Sequence, residues 1–539
     1  MSYMLIFIQD NIQNLLLLLS ILLITWHKGL KGGYLIDDDQ GLAQFSDKWR
    51  PEQKDAKGEI ITELKVDYYN EHLGKDKDGK EIVQKFKNLQ YNPHLGIPGA
   101  FMRWHRLQIG KRFTVIGKNK LGHEIYGFIQ DPFRHHLWSL FLHSVNCILV
   151  YIFLEHLFGS RIALFASVLF SIHPVASQCV AWISGINYQY SLLFSLSMFI
   201  LNQHVLDHRV TIPFTVLLSA LSSMTLLPGC MSWIVLLLLG RPWEAFSSLL
   251  ASTIVFFRDG LGAVSYRKKN FKEQGMASST FFSLRKPIVM LKTLWYYTKL
   301  MIYPSKLGLY HEYGYHYDEK MERFNLESLN GLIVLSLMVY FAIQGPFLIT
   351  FSIIWMLIYW VIFSNIITAN QFVVERYIFI PSLGYALILA HFLHPYPTFL
   401  WFLIALYMSR SMSHLWTFRS QKDFYLSNSL NFRNSEVALG NLGVVYINEG
   451  KAGSAIETWL EATKINPMYD VSWYNLYSIM RSNGNLSDAK KFLEGALRCK
   501  TIHFKERWEQ EMKDLDGIIA KAIAQQQQKQ PIVTPQPTT

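Results

Sequence analysis

Apolar residues along this chain gather into runs of about 20, the length that crosses a hydrocarbon core, separated by short polar breaks. Such runs occupy 12–30, 136–158, 160–175, 188–205, 210–227, 228–240, 243–258, 328–345, 347–366, 376–394 and 397–412. Two of them, 160–175 and 228–240, are short and suit a tilted or half-buried helix. Unbroken apolarity without strict alternation predicts helices that are buried or lipid-facing. Polar residues concentrate in 44–135, 259–285 and 413–539. The pattern predicts an all-α polytopic membrane protein of about eleven spans.

One segment reads differently. Lys286, Lys292 and Lys299 punctuate 286–303, with Leu, Trp and Tyr between them. That mixture predicts an amphipathic helix lying at the membrane interface rather than a span. The first apolar run is expected to remain as a span. It lacks a basic n-region, and Asp10 interrupts it, so it does not have the layout of a cleavable signal. With about eleven spans the termini fall on opposite sides. The stretch after the first run, the stretch 367–375 and the C-terminal region then share one side. The short loops holding Arg161, Arg209 and Arg241 fall on the other, the expected cytoplasmic side.

The polar excursion 46–132 is expected to be a small α/β insertion on the membrane face. Its first part, 47–89, is dense in Lys, Asp and Glu and is expected to be solvated. Its second part predicts a hairpin: Arg112 to Ile116, a turn at 117–122, then Glu124 to Ile129.

The C-terminal region repeats. Leu442, Tyr446, Gly450, Ala455 and Ala462 return as Leu476, Met480, Gly484, Ala489 and Ala496, each after 34 residues. The first unit follows the tetratricopeptide (TPR) pattern, with Leu439 at the first place and Trp459 at the Phe place. Small Ala residues sit where two helices of one repeat touch. Two repeats are few for independent stability, so helices at 413–430 and 506–520 are expected to stack on either end. Trp508, Met512, Leu515 and Ile519 would form the inner face of the second. The Gln-rich, then Pro/Thr-rich, end reads as a disordered tail. The expected organisation is therefore 1–45 (first span and acidic loop), 46–132 (insertion), 133–412 (transmembrane domain), 413–523 (TPR α-solenoid) and 524–539 (tail).

Composition sharpens this. Of 539 residues, 50% are apolar and 15% aromatic. The net charge of +11 would admit a nucleic-acid partner. The basic residues are instead scattered through loops beside apolar runs, where anionic lipid accounts for them, so nucleic acid is excluded as a partner. The four cysteines, Cys147, Cys179, Cys230 and Cys499, have no metal-ligand spacing and form no disulfide framework.

Four stretches carry candidate chemistry. Asp37, Asp38 and Asp39 lie where the first run leaves the membrane. Crowded carboxylates raise one another's pKa, so one can act as a base; alone, the run is equally a wet loop among headgroups. Residues 173–185 place His173, Gln178 and Trp182 at the exit of an apolar run that Pro174 ends. Polar groups at such a depth line cavities. Glu375 and Arg376 sit at the mouth of another run, and a guanidinium suits a phosphate. The last stretch, 303–313, follows the amphipathic segment. There Lys299 and Lys306 can meet an anionic lipid head, and Tyr310 and His311 a sugar or peptide.

In this order the stretches resemble the transmembrane and TPR-containing O-mannosyltransferases and the bacterial TPR glycosyltransferases of the GT-C class. The likeness covers 12–45 and roughly 133–500, and leaves the insertion unmatched. Tyr34 to Asp38 is similar to that family's aromatic-x-Asp-Asp motif. His173-Pro174-Val175, Val180-Ala181 and Gly185 match its second motif, and Glu375-Arg376-Tyr377 through Pro381-Ser382-Leu383-Gly384 its third. The family often carries Glu where this chain has Gln178, and Arg and an acid where it has Ile186 and Tyr188. That removes charge from the second loop.

The resemblance implies a GT-C-like enzyme that moves a sugar, such as mannose, from a polyprenyl-phosphate carrier to a protein. The membrane would be a bacterial inner membrane or that of the endoplasmic reticulum, with the reaction on the extracytoplasmic or lumenal face. It implies an inverting displacement with Asp37 or Asp38 as base. Arg376, with Lys299 or Lys306, would hold the departing lipid phosphate. His173, Gln178, Trp182, Glu375, Tyr310 and His311 would line the substrate pocket, and the TPR groove would take an acceptor polypeptide. No cofactor is required; the aspartates have the chemistry for Mg²⁺ or Mn²⁺, though the resemblance does not call for one. The alternatives are a lipid-linked glycan polymerase or ligase, and a non-catalytic membrane-anchored TPR scaffold.

Overall fold

A computed structural model describes residues 2–33, 35, 108–118, 124–260, 286–309, 311, 322–366, 373–432, 435–499 and 505–529. The apolar part begins with α1 (Ser2–Trp26), which runs into a 3-10 turn, His27–Lys31. Strands β1 (Lys111–Lys118) and β2 (Glu124–Gln130) pair antiparallel, with a register shift between Val115 and Gly117. The expected hairpin is therefore present, at the expected place. It feeds α2 (Pro132–Phe158), whose start is set by Asp131: its side chain accepts from the Phe133 amide at 3.0 Å, and Pro132 fits the first helical position.

The other helices follow as α3 (Ser160–Ile172), α4 (Ile186–His204), α5 (His208–Thr225), α6 (Ser232–Leu238), α7 (Pro242–Val255), α8 (Lys286–Ile302), α9 (Leu326–Gln344), α10 (Phe347–Val361), α11 (Ser382–Leu393) and α12 (Pro397–His414). Helix α3 is the hub. Residues 163–172 are all buried, and α1, α2, α11 and α12 pack around it. A helix apolar on every face needs such enclosure.

The molecule is a predominantly helical membrane protein. Among the described residues, Gln9–Lys31, Pro132–Phe158 and Leu326–Gln344 are long and apolar enough to cross a membrane. Ser160–Ile172 with Pro174–Val180 makes a fourth if the pair, bent by 52°, counts as one span. The other predicted runs also form helices, but shorter or more polar ones. The run at 228–240 splits into a 3-10 turn, Leu227–Met231, and the short α6.

The segment expected to lie at the interface is instead enclosed. In α8 both Lys286 and Lys292 are buried, and only Lys299 is exposed. Burial lowers the pKa of both lysines, opposed by the charges of Glu322 and Glu327. Those acids lie at and before the start of α9, which packs along α8. The lysine-dotted pattern therefore does not mark a solvent- or lipid-facing stripe: two of its three lysines face the interior.

Helices α4 to α7 are joined by buried serines. Ser222 Oγ lies 2.9 Å from Ser191 Oγ and 2.8 Å from Ser195 Oγ. Ser195 reaches Ser232 at 3.0 Å, and Ser232 reaches the Tyr359 hydroxyl of α10 at 3.1 Å. Ser219 bonds Ser248 at 2.8 Å and Ser252 at 3.0 Å. Where lipid offers no hydrophobic drive between helices, small residues and interhelical hydrogen bonds hold them.

Beyond α12 a 3-10 turn, Leu415–Phe418, leads into α13 (Gln421–Asn431), α14 (Glu436–Asn448), α15 (Ala452–Ile465), α16 (Asp470–Ser482), α17 (Leu486–Arg498) and α18 (Lys505–Lys529). Each packs on the next. Phe424, Tyr425, Leu439, Leu442 and Ala462 belong to the same apolar core as the preceding helices. Trp508 and Leu515 of α18 close a separate core with Tyr477, Ala489 and Leu493. Helix α18 runs on to Lys529, so 524–529 are helical rather than part of a disordered tail. Ala, Gln and Lys are good helix formers and extend the final turn readily.

Replacing Ser222 by Ala should lower stability by about 1 kcal/mol, the usual worth of an interhelical hydrogen bond in such an interior. Thermal unfolding in detergent will read this, with Ser247→Ala as the half-buried comparison. Ser247 bonds only its own helix, to the Trp243 carbonyl, and its loss should be near neutral.

Candidate functional site

Glu375 begins a 3-10 turn, Glu375–Ile378, just before α11, and its side chain is fully buried. Its Oε1 accepts from the Gly308 amide at 2.6 Å and meets His311 Nε2 at 3.0 Å. Its Oε2 accepts from the Gln178 side-chain amide. All three partners present donors, as an ionised carboxyl, which only accepts, requires. Because His311 Nε2 faces that carboxyl, its proton sits there in the neutral ring. Nδ1 is then left to accept from the Tyr296 hydroxyl at 3.0 Å.

The loop that carries Gly308 and His311 is gripped from the other side as well. Asn428 Oδ1 in α13 accepts from the Leu309 amide at 2.6 Å, and Asn431 donates to the Leu307 carbonyl at 2.9 Å. Arg410 in α12 donates to the Pro304 carbonyl at 2.9 Å and to that of Ser305 at 2.7 Å. Gly308 leaves no room for a side chain. A Cβ there would lie 2.5 Å from Asn428 Oδ1 and 2.7 Å from the Phe432 ring.

Arg376 turns toward different partners. One guanidinium nitrogen donates to Gln178 Oε1 at 3.4 Å, and the group lies 5.1 Å from the Trp182 ring centre and 5.3 Å from that of Tyr377. Such aromatic faces attract a cation. Gln178 is thus the bridge of the site: its amide nitrogen serves Glu375 and its carbonyl oxygen serves Arg376. A carboxylate at 178 has no donor to give Glu375, so the amide is the side chain that fits both neighbours.

His173 is buried and held by backbone groups. Nε2 meets the Met301 carbonyl at 2.9 Å, and Nδ1 accepts from the Val175 amide at 3.3 Å. Both ring nitrogens are engaged, and the ring centre is 4.7 Å from that of Tyr407. The imidazole pins the break between α3 and the short helix Ser177–Val180 to the end of α8. Lys299 is exposed with its ammonium 4.8 Å from the Tyr296 ring centre. Lys306 is exposed in the loop, two residues before Gly308. Asp37, Asp38, Asp39 and Tyr310 lie outside the described residues.

The chain leading to those aspartates can be followed to Leu35, which is buried. The Gly33 amide donates to the Phe418 carbonyl at 3.3 Å. Gly32 lies so close to the His136 ring that a Cβ would be 2.6 Å from Nε2. The exit of α1 thus sits against the turn that feeds α13, and α13 also holds the Gly308 loop.

Gln178, Trp182, Glu375, Arg376 and His311 are therefore brought together from three separate sequence stretches. Sequence reasoning missed Tyr296, Asn428, Asn431, Arg410 and His136. Only Arg410 carried a signal, as a lone charge within an apolar run. Among the described residues no group of three or more His, Cys, Asp or Glu side chains could hold a metal ion.

No protein-family model matches the chain. It is similar to a Caenorhabditis elegans protein named protein O-mannosyl-transferase, at 23% identity over 493 residues. The match takes in 86% of this chain and 64% of the length of that relative.

Glu375→Ala should destabilise the protein by about 3 kcal/mol or more, because three buried donors lose their acceptor. Chemical or thermal unfolding in detergent measures it. Gln178→Glu should also destabilise, by setting two carboxyls in contact where both cannot ionise. The raised pKa of the pair means that the deficit against wild type narrows as the pH falls and a proton is taken up. Unfolding midpoints across an acid-to-neutral series will show that slope.

Proposed function

We propose that this chain is an integral-membrane glycosyltransferase of the GT-C type. In this reading it moves a hexose such as mannose from a polyprenyl-phosphate carrier to a hydroxyl of a protein acceptor. The observation that carries the reading is the meeting of Gln178, Trp182, Glu375, Arg376 and His311 beside the exit of α1. The nematode relative's name supports transfer of the O-mannosyl kind. The motif order Asp-Asp, His-Pro-Val and Glu-Arg-Tyr supports the same class.

The reaction needs little acid help, because a phosphate is already a good leaving group. The acceptor oxygen attacks the anomeric carbon from the face opposite the carrier, and the bond from that carbon to the phosphate oxygen breaks. Configuration inverts in this one displacement. Asp37 or Asp38 takes the hydroxyl proton. Arg376 stabilises the charge that grows on the phosphate, with Lys299 or Lys306 assisting from the exposed side. Glu375 is a positioning residue: its three hydrogen bonds set the Gly308–His311 loop and hold Gln178 against Arg376. Trp182 offers its face to Arg376, and Tyr310 and His311 are assigned to the substrate pocket. No step is routed through a metal, though Asp37 to Asp39 have the chemistry to bind Mg²⁺ or Mn²⁺.

About eleven spans complete the membrane part in this reading, several of them short and tilted. The insertion 46–132 builds on the β1–β2 hairpin. Helices α14 to α17 are two TPR repeats, with α13 and α18 as end caps, and their groove offers the acceptor polypeptide. The active face and the C-terminal helices are extracytoplasmic or lumenal.

Asp37→Asn or Asp38→Asn should abolish transfer while membrane insertion stays intact. Arg376→Ala should lower the transfer rate about 100-fold, in the range lost with one charge-stabilising donor. Transfer from a radiolabelled polyprenyl-phosphate sugar to protein, in membranes of matched expression, measures both. Full activity in each aspartate variant would remove the base assignment. Addition of a preassembled polymer instead of one sugar would favour a ligase.

A further inference from the structure

The turn between α16 and α17 carries a feature that the proposed reaction does not use. Asn485-Leu486-Ser487 is the one Asn-x-Ser/Thr triplet, with x other than Pro, in the whole sequence. It could have fallen in a buried helix. It falls instead where Asn485 and Ser487 are both exposed, at the start of α17. This triplet is an acceptor for N-linked glycan transfer in compartments that carry it out.

The local geometry decides whether a glycan can stay there. Asn485 is the N-cap of α17. Its Oδ1 accepts from the Asp488 amide at 3.3 Å, and its Nδ2 donates to Asp488 Oδ2 at 2.7 Å. Glycosylation replaces one of the two Nδ2 hydrogens. The oxygen is untouched, so the cap bond from the Asp488 amide to Oδ1 survives. The inner face of α17, with Ala489, Leu493 and Ala496, is buried against its neighbours. A glycan on the exposed turn leaves that core undisturbed.

We infer that Asn485 is an N-glycosylation site, and that the C-terminal helices carry one glycan on the turn before α17. The donor is a lipid-diphosphate-linked oligosaccharide of the host membrane. The Asn485 nitrogen bonds to the anomeric carbon of the first sugar, and the bond from that carbon to the diphosphate oxygen breaks. The lipid diphosphate leaves with the electron pair, and a base on the transferring enzyme takes one amide proton. In the folded cap both Asn485 side-chain atoms are engaged with Asp488, so transfer acts on the chain before α17 closes.

This inference rests on the lumenal placement of the C-terminal helices proposed above. The test is expression of the full chain in cultured animal cells, with an epitope appended after Thr539. Membranes are run with and without peptide N-glycosidase. The expected result is a single mobility step that the enzyme removes and that is absent from both Asn485→Gln and Ser487→Ala. Ser487→Ala leaves the asparagine cap intact, so it reads the acceptor without weakening the helix start. Protease treatment of sealed vesicles reports the side of the epitope independently. A protected epitope with no glycosidase-sensitive step overturns the site and leaves the placement standing. An epitope digested in sealed vesicles overturns the placement, and this inference with it. A glycosidase-sensitive step that persists in both variants overturns the assignment to Asn485.

Discussion

A carboxyl group taken out of water must find donors close by or give up its charge. Glu375 meets that demand by drawing in the Gly308 amide, the His311 ring and the Gln178 side chain. These groups come from two segments far from Glu375 and from each other in sequence. The requirement of one buried side chain therefore ties together the loop that carries Gly308 and His311, the Ser177–Val180 turn and, through Gln178, Arg376. A carboxyl with fewer partners would leave each of these segments able to move, and Arg376 would lose the Gln178 carbonyl that orients it.

The helices around this point show how the chain manages polarity in an apolar interior. Serine hydroxyls meet one another across α4 to α7, and Ser232 carries the chain of bonds on to Tyr359. His173 satisfies both of its nitrogens on backbone groups at a helix break. Hydrogen bonds between small side chains permit close approach of short helices. The bent pair around His173 and the divided run at 228–240 can then remain packed without long straight spans.

The helical character, the hairpin at 111–130 and the 34-residue repeat were legible because each rests on local periodicity or turn chemistry. The depth of α8 was not. Lysines in a helix signal solvent unless acids arrive from elsewhere, and Glu322 and Glu327 arrive from the segment that opens α9. Within the site, Gln178, Trp182, Glu375, Arg376 and His311 stood out as polar or aromatic groups at the ends of apolar runs. Asn428 and Asn431 did not, since an asparagine on a helix reads the same whether it faces water or clamps a distant loop. The partners of His173 were hidden for a related reason: its sequence context gives an exit from an apolar run, while its partners depend on where α8 ends.

The grip of α13 on the Gly308 loop has a consequence for how the molecule is made. Asn428 and Asn431 hold backbone that is synthesised more than a hundred residues earlier, at separations of 119 and 124. A ribosome delivers the chain in order, and contacts of such separation close late. The loop beside Glu375 must therefore wait, after the membrane helices before it have emerged, for the first C-terminal helix to follow. Chains released before that helix would hold most of their apolar core and lack the finished site. Assembly of the site thus reports that synthesis has passed α13.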